Sequence, residues 1–331
     1  MRTTLTPIRC AALALFLLAS TLHPGALARA EQRPQLRVVA TVAMIGDVAS
    51  EIAGDRAAVE SLMGPGVDPH LYRPTRSDTA RLLGADLVLY NGFLLEGKMT
   101  DTLVRIARSG RPVYAIVEGV PEDFILESAE TEGHDDPHIW MDPTGWKHAA
   151  RVIADAFIAV DPDGEAHYRA RADAYTQRLA ELDDYARAVL ATIPADRRIL
   201  VTSHDAFAYF GRAYDIEVVG IQGVSTVAEA GLRDIERIVE TLVQRNIPAV
   251  FTESTISERN VRALVEGCRA RGHALAIGGE LYSDAMGSPG TYRGTYIGMI
   301  DHNVTTIARA LGGDAPAGGM HGKLTHDAPK R

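Results

Sequence analysis

The hydrophobic positions of this chain of 331 residues form short apolar runs that alternate with longer amphipathic stretches. Short apolar runs bounded by turn residues are typical of buried strands, and strands that alternate with helices indicate a parallel sheet. The first half predicts strands at 36–42, 59–63, 87–90 and 113–117. The second half predicts strands at 199–202, 217–219, 249–252 and 274–277. Amphipathic helices are predicted between them at 44–52, 76–83, 205–213, 226–245 and 257–271.

A long amphipathic stretch at 164–192 separates the two halves. It has no proline or glycine after its first residue, and its apolar residues recur every three or four positions, which predicts a helix. Asp161 and Pro162 before it and Pro194 after it are start and stop signals. We therefore predict an α/β fold of two lobes, each a four-stranded, mostly parallel sheet flanked by helices, joined by one long rigid helix.

The first thirty residues have the features of a secretory signal peptide. Arg2 and Arg9 precede the apolar segment 11–22, and small residues at 26–30 fit a cleavage site. Because Cys10 lies before the apolar segment, we expect a soluble periplasmic protein without a lipid anchor. The remaining chain then divides into an N-terminal lobe at 31–145, a linker with the long helix at 146–196, a C-terminal lobe at 197–313 and a flexible tail at 314–331.

The net charge bears on the classes of binding partner, and the cysteine content bears on disulfides and metal ligands. The formal net charge is −9, and removal of segment 1–30, with its three arginines and no acid, brings it to −12. An acidic chain argues against binding to nucleic acid. Cleavage would leave Cys268 alone, so the mature chain would have no internal disulfide. Cys268 lies in a helical pattern, and we interpret it as a core residue and not as a metal ligand.

Four segments each present one possible metal ligand in a loop near the end of a predicted strand. The candidates are His70 in GPGVDPHLYRPTRSD, His138 in DPHIWMDP, His204 in VTSHDAF and Asp284 in GELYSDAMG. Nitrogen and oxygen donors of this kind suit a transition metal. Ligands of open α/β sheets bind beyond the carboxyl ends of the strands. If one lobe supplies His70 and His138 and the other His204 and Asp284, the site lies in the cleft between the lobes.

A single histidine is weak evidence for a ligand, because most histidines have a satisfied hydrogen bond in the core or at the surface. His70 and His138 differ from the others because each follows an Asp-Pro pair. Proline restricts the backbone of such a turn, and the carboxylate of Asp68 or Asp136 can accept a hydrogen bond that orients the imidazole. We do not interpret these other histidines as ligands: His148, His167, His273 and His302, and His321 and His326 in the tail.

Each of three further residues has two possible interpretations. His134, in GHDDPH, is an accessory metal ligand or a solvated loop residue, and we favour the second. Glu253, in FTEST, and Glu280, in GGEL, are hydrogen-bond acceptors for ligating groups, or they hold loops in place. A helical HExxH motif, which would indicate a metalloprotease, is absent from the sequence.

The motifs resemble those of a known family. DPHLYRPTRSD, DPHIWMDP, TSHDAFAYFGRAYDIEVVGIQGVST and GGELYSDAMGSPGTYRGTYIGMIDHNV are similar to segments of the proteins that bind metal for zinc and manganese ABC transporters, in particular the TroA-like subgroup. The resemblance covers 36–311. It implies one divalent cation held between two lobes by His70, His138, His204 and Asp284. It also implies an inner-membrane permease with a cytoplasmic ATPase as partner, and we expect a monomer.

The departures from the family pattern bear on the choice of metal. Zinc-specific members often carry a long loop rich in His and Asp before the second ligand motif, whereas segment 128–137 is short and has one histidine. Manganese-specific members often have Glu at the position of His204. Three nitrogen donors suit Zn²⁺ better than Mn²⁺, although relatives with this set are linked to both metals. We favour zinc and keep manganese as the alternative.

A zinc-dependent hydrolase is the competing function. Catalytic zinc commonly keeps three protein ligands and an open position for water. His70, His138 and His204 would form such a site if Asp284 acted as a general base. Four protein ligands close a tetrahedral zinc site, so we favour a binding protein, with no enzymatic activity.

Overall fold

The computed structural model describes residues 35–128 and 133–327. The predicted signal peptide at 1–30 therefore lies outside the described residues. Within the described part of the chain, no helix is both long and apolar enough to cross a bilayer.

The first lobe is built on a four-stranded parallel sheet in the order β2-β1-β3-β4. The central residues Val38, Val39 and Val88 are buried because helices cover both faces, which explains the continuous apolar runs in these strands. The strands are β1 (Leu36–Ala40), β2 (Ala57–Ser61), β3 (Leu87–Tyr90) and β4 (Val113–Ala115). The helices are α1 (Ala43–Ala53), α2 (Arg76–Gly84) and α3 (Thr100–Arg108).

The second lobe contains four strands in two parallel pairs, β5 with β6 and β7 with β8. The strands are β5 (Ile199–His204), β6 (Glu217–Gln222), β7 (Ala249–Glu253) and β8 (Ala276–Leu281). The helices are α6 (Ala208–Tyr214), α7 (Leu232–Gln244), α8 (Arg259–Ala270) and α9 (Tyr296–Ala310).

The α/β prediction is confirmed, but the second lobe differs in one detail from a continuous four-stranded sheet. β5 and β7 lie side by side without a shared ladder of backbone hydrogen bonds. At the carboxyl end of this junction the backbone N–H of His204 donates to the carboxylate of Glu253 at 2.9 Å. A side chain thus takes the place that a main-chain carbonyl has in a ladder.

Two helices join the lobes: α4 (Pro143–Val160) and α5 (Glu165–Leu190). α4 begins at the Asp142 cap, whose carboxylate accepts the N–H of Thr144. α5 has 26 residues and a length of about 39 Å at 1.5 Å per residue. It packs against α1 and α4 on one side and against α9 and α6 on the other. The predicted long helix is therefore confirmed, and it lies against both lobes.

A single hydrophobic core extends across the junction of the lobes. It includes the sheet of the first lobe, α4 and α5, and the residues Phe207, Phe251 and Tyr296 of the second lobe. A smaller core lies between the β strands of the second lobe and helices α7 and α8, and it contains Cys268. Since interiors are close-packed, a shared core opposes wide rotation of one lobe against the other.

The segment that follows α9 is packed against the second lobe. Met320 and Leu324 are buried, and the N–H of Met320 donates to both carboxylate oxygens of Asp301, at 2.9 and 3.0 Å. The flexible tail at 314–331 stays a prediction. Its residues 314–327 lie against the second lobe through Met320, Leu324 and Asp301, and residues 328–331 lie outside the described residues.

Asp47 of α1 lies at the junction of the two lobes, and its pKa makes the stability of the protein depend on pH. Its carboxylate accepts the N–H of Tyr296 at 2.9 Å, at the start of α9. Burial raises the pKa of Asp47 from 3.8 to about 6. An acid whose pKa is raised by folding favours the folded state when protonated, so its contribution to stability falls as the pH rises from about 4 to about 6.

We predict that Asp47→Asn stabilises the protein at pH 7 by about 1–3 kcal/mol, because the variant removes the cost of a buried charge and keeps an acceptor for Tyr296. The gain should vanish near pH 4. Urea unfolding between pH 4 and pH 7.5 measures it, with Asp101→Asn at the exposed start of α3 as the control. Stability curves of wild type and Asp47→Asn that stay parallel across this range would contradict the prediction.

Candidate metal site

The first candidate ligand, His70, lies in the loop between β2 and α2. Oδ1 of Asp68 accepts the backbone N–H of His70 at 2.8 Å and closes the Asp-Pro-His turn. The turn directs the imidazole into the protein, where His70 is 5% exposed. The neighbouring Leu71, on the other side of the turn, is 44% exposed.

The second candidate, His138, ends a similar turn ahead of α4. Oδ1 of Asp136 accepts the backbone N–H of His138 at 2.9 Å and lies 2.7 Å from Nδ1 of its ring. The predicted role of Asp136 as an acceptor that orients the imidazole agrees with these contacts. His138 is completely buried, and a 3₁₀ turn at Ile139–Met141 follows it.

The third candidate, His204, is the last residue of β5, two residues beyond the predicted end of the strand. Glu253 is the last residue of the adjacent β7. One oxygen of Glu253 accepts the backbone N–H of His204, and the other lies 2.6 Å from Nδ1 of the ring. Of the two interpretations of Glu253, the structure therefore favours an acceptor that orients the imidazole.

The fourth candidate, Asp284, follows β8 and meets the three histidines at the junction of the lobes. Its Oδ2 lies 3.4 Å from Nε2 of His70 and 3.3 Å from Nε2 of His204, and its Oδ1 lies 3.5 Å from Nε2 of His138. The ligand atoms of all four residues lie within 4.8 Å of one another. Bonds of about 2.0–2.2 Å to a tetrahedral metal place the donors about 3.3–3.6 Å apart, so these spacings fit one ion.

The outer contacts determine which ring nitrogens face the centre. A carboxylate only accepts hydrogen bonds, so Asp136 and Glu253 require a proton on Nδ1 of His138 and His204. Nε2 of each ring is then the nitrogen that can bind a metal. Nε2 of His204 and both oxygens of Asp284 are buried without a hydrogen-bond partner in the described residues, as expected of ligand atoms.

The electrostatics of the cluster suit a cation. Burial would raise the pKa of Asp284, but attraction to the imidazole of His204 and to the other two histidines outweighs it and holds this pKa below its usual range. Burial lowers the pKa of His70 to about 3, so this ring is neutral. Burial also acts to lower the pKa of His204, but the charges of Glu253 and Asp284 prevail and raise it well above its ordinary value. A divalent ion would therefore displace a proton from His204.

Hydrogen bonds across the junction hold the segment of His138 against the second lobe. Nε1 of Trp140 donates to the carbonyl of Ser283 at 2.8 Å, and the hydroxyl of Tyr296 donates to the carbonyl of Trp140 at 2.8 Å. The hydroxyl of Tyr209 donates to the carbonyl of Asp136 at 3.0 Å. These aromatic residues were not predicted from the sequence, since nothing in their local pattern shows that partners 73 to 156 residues away are adjacent.

The other histidines behave mostly as expected. Ring nitrogens of three of them lie 2.7 to 2.9 Å from backbone carbonyls: His167 from Ala53, His273 from Ile247 and His302 from Glu280. His134 is exposed and is not part of the cluster formed by the described residues. Glu280 is exposed on β8, unlike the buried Glu253.

Comparison with known proteins identifies the family. Residues 38–310 match the family described as ZnuA, zinc-uptake complex component A, periplasmic. The chain belongs to the ZnuA family. This membership agrees with the resemblance inferred from the motifs and with the α/β fold of two lobes.

Two known proteins and one solved structure are similar to the chain. The manganese-binding lipoprotein MntA of Bacillus subtilis is 45% identical over 277 residues, which cover 84% of this chain and 90% of MntA. The zinc-binding protein TroA of Treponema pallidum is 45% identical over 274 residues, which cover 83% of this chain and 88% of TroA. The structure of periplasmic zinc-binding TroA matches with a TM-score of 0.81 at 44% identity, over 84% of this chain and 99% of that one.

We predict that Glu253→Gln weakens metal binding about 10- to 100-fold, the range typical of partners that orient a ligating histidine. The amide supplies one acceptor where the carboxylate supplies two, so its NH₂ group faces a donor of His204. Competition with a chelator measures the dissociation constant. The control is Glu280→Gln, on the neighbouring strand. Equal affinities of the two variants would contradict this role of Glu253.

Proposed function

We propose that this protein captures one divalent transition metal ion with His70, His138, His204 and Asp284 and delivers it to the permease of an ABC transporter. The convergence of three imidazole nitrogens and one carboxylate at a buried point carries the proposal. Buried polar atoms without partners are rare in proteins, and those of Asp284 face the histidines. A cation satisfies all of them together.

In this proposal the metal ion is transported cargo. The position of the site and the expected partners support this role of the ion. The site lies at the junction of two lobes, so movement of either side can change the coordination. The ZnuA family is named for a zinc-uptake complex. The resemblance to proteins that bind metal for ABC transporters implies a membrane permease and an ATPase as partners. With the predicted signal peptide, the protein acts in the periplasm as a monomer that docks on the permease.

Zinc is the cargo that we propose, with manganese as the alternative. The curated relatives at 45% identity include one named for manganese and one named for zinc. The argument for zinc is chemical: three nitrogen donors and four ligands in all suit Zn²⁺ better than Mn²⁺. If both oxygens of Asp284 bind, the coordination number becomes five, which zinc also accepts.

A zinc hydrolase is less consistent with the geometry. It requires Asp284 to lie apart from a three-histidine site and leave a position for water. The oxygens of Asp284 lie as close to the histidine nitrogens as these lie to one another, with His70 and His138 separated by 3.4 Å between Nε2 atoms. All four residues are buried, so a substrate would have no access without rearrangement of the site.

Replacement of the ligands tests the proposal. His70→Ala and His204→Ala should each weaken metal binding at least about 100-fold, more than the loss of an orienting partner, because a bond to the ion is lost. Metal titration with a competing chelator measures affinity and a stoichiometry of one. His134→Ala is the control and should bind as wild type does.

Affinity like that of wild type in both His70→Ala and His204→Ala would refute the site. Asp284→Ala separates the two functions: unimpaired metal binding in this variant, together with metal-dependent turnover of an ester or phosphate by the wild-type protein, would favour the hydrolase.

The choice of metal has its own test. Protein taken from the periplasm, without chelators or nickel resins, should contain zinc by elemental analysis, and zinc should displace manganese in competition. X-ray absorption of the zinc form should show nitrogen and oxygen ligands at about 2.0–2.2 Å. Retention of manganese against equimolar zinc would reverse the assignment of the metal and leave the binding function intact.

A further inference from the structure

The four candidate ligands are held in different ways. The segment of His138 is bonded to the second lobe through Asp136, Trp140 and their partners, and His204 lies within β5. His70, by contrast, lies on a loop that leaves β2 through Gly64 and Gly66. Gly66 has φ +71°, and Gly64 has open space where a side chain would be. Because glycine restricts the backbone less than other residues do, this loop has more conformational freedom than β5 or the segment of His138.

A hydrogen bond joins the His70 loop to the opposite lobe. The hydroxyl of Thr226 donates to Oδ2 of Asp68 at 2.6 Å, while Oδ1 of the same carboxylate accepts the N–H of His70. One carboxylate therefore connects Thr226 to the backbone of His70. Thr226 is 8% exposed and Asp68 is partly buried, so the bond is largely shielded from water.

The loop that carries Thr226 is itself fixed to the strands of the second lobe. It follows β6, and Nε2 of Gln222, the last residue of β6, donates to the carbonyl of Ala228 at 3.1 Å. Gln222 is the register partner of His204 in the parallel pair of β5 and β6. The Thr226–Asp68 bond thus ties the turn of His70 to the strand pair that carries His204.

We propose that Thr226 is a positioning residue which, through Asp68, keeps His70 on the bound metal and sets the rate at which the metal leaves. The inference rests on the proposed metal-binding function. A cleft beside this bond is lined by Asp68, Leu71, Gln222 and Thr226. When the bond breaks, the His70 loop moves away from β6, and the metal loses one ligand on the side of this cleft. The shared core and α5 stay in place.

The test compares Thr226→Val, which keeps the shape and removes the hydroxyl, with Thr226→Ser, which restores the hydroxyl. Zinc release is followed by stopped flow with an excess of chelator. Thr226→Val should release zinc about 10-fold or more faster than wild type, as expected for a lost hydrogen bond to a charged acceptor, and Thr226→Ser should stay within about twofold. A release rate of Thr226→Val equal to that of wild type, or of Thr226→Ser equal to that of Thr226→Val, overturns the proposal.

A second measurement uses the wild-type protein and does not depend on the folding of a variant. Hydrogen exchange of the metal-loaded protein should be faster in segment 64–72 than in segment 134–142, because the first opens alone. Slower or equal exchange in 64–72 overturns the proposal. The proposed metal-binding function would fail in a different way: wild-type protein would then take up no divalent metal in titration.

Discussion

The buried carboxylate of Asp284 is the constraint around which the junction of the lobes is organised. A charge in a protein interior is costly unless it is paired. Here the compensation comes from imidazoles, above all that of His204, whose pKa is raised by Glu253 and Asp284 against the opposing effect of burial. A divalent cation bound by the same side chains would supply this compensation directly. Each ring must remain oriented toward Asp284, which explains the carboxylates behind His138 and His204.

The central strands β1 and β3 of the first lobe were predictable because burial on both faces produces continuous apolar runs. The edge strand β2 lies at Ala57–Ser61 instead of the predicted 59–63, because its alternate residues are exposed and it has no such run. The end of β5 was not predictable, because hydropathy falls at Ser203 and His204 although both are buried. The hydroxyl of Thr202 donates to the carbonyl of His204, so a local bond satisfies a polar group in the buried end of the strand. At the same end, the side chain of Glu253 accepts the N–H of His204.

The four candidate ligands were accessible from sequence because rigid turns and strand ends mark them, and because long motifs resemble a known family. The residues that support them were less accessible. Asp68, Asp136 and Glu253 are close to a ligand in sequence or lie at a strand end, and they were identified. Tyr209 and Thr226 act on segments 73 and 158 residues away, and only the folded chain brings them together. Prediction from sequence thus reached the local contacts of the candidate ligands and missed the long-range ones.

Both tryptophans of the protein lie near His138. The sequence has two, Trp140 and Trp146, and both are completely buried. The ring of Trp140 lies 5.1 Å from that of His138 and 6.4 Å from that of Trp146, measured between centroids. All tryptophan emission therefore originates beside the cluster, where a change in the charge of His138 or its neighbours acts directly on an indole. We therefore expect the intrinsic fluorescence of the unlabelled protein to change when the proposed metal ion binds.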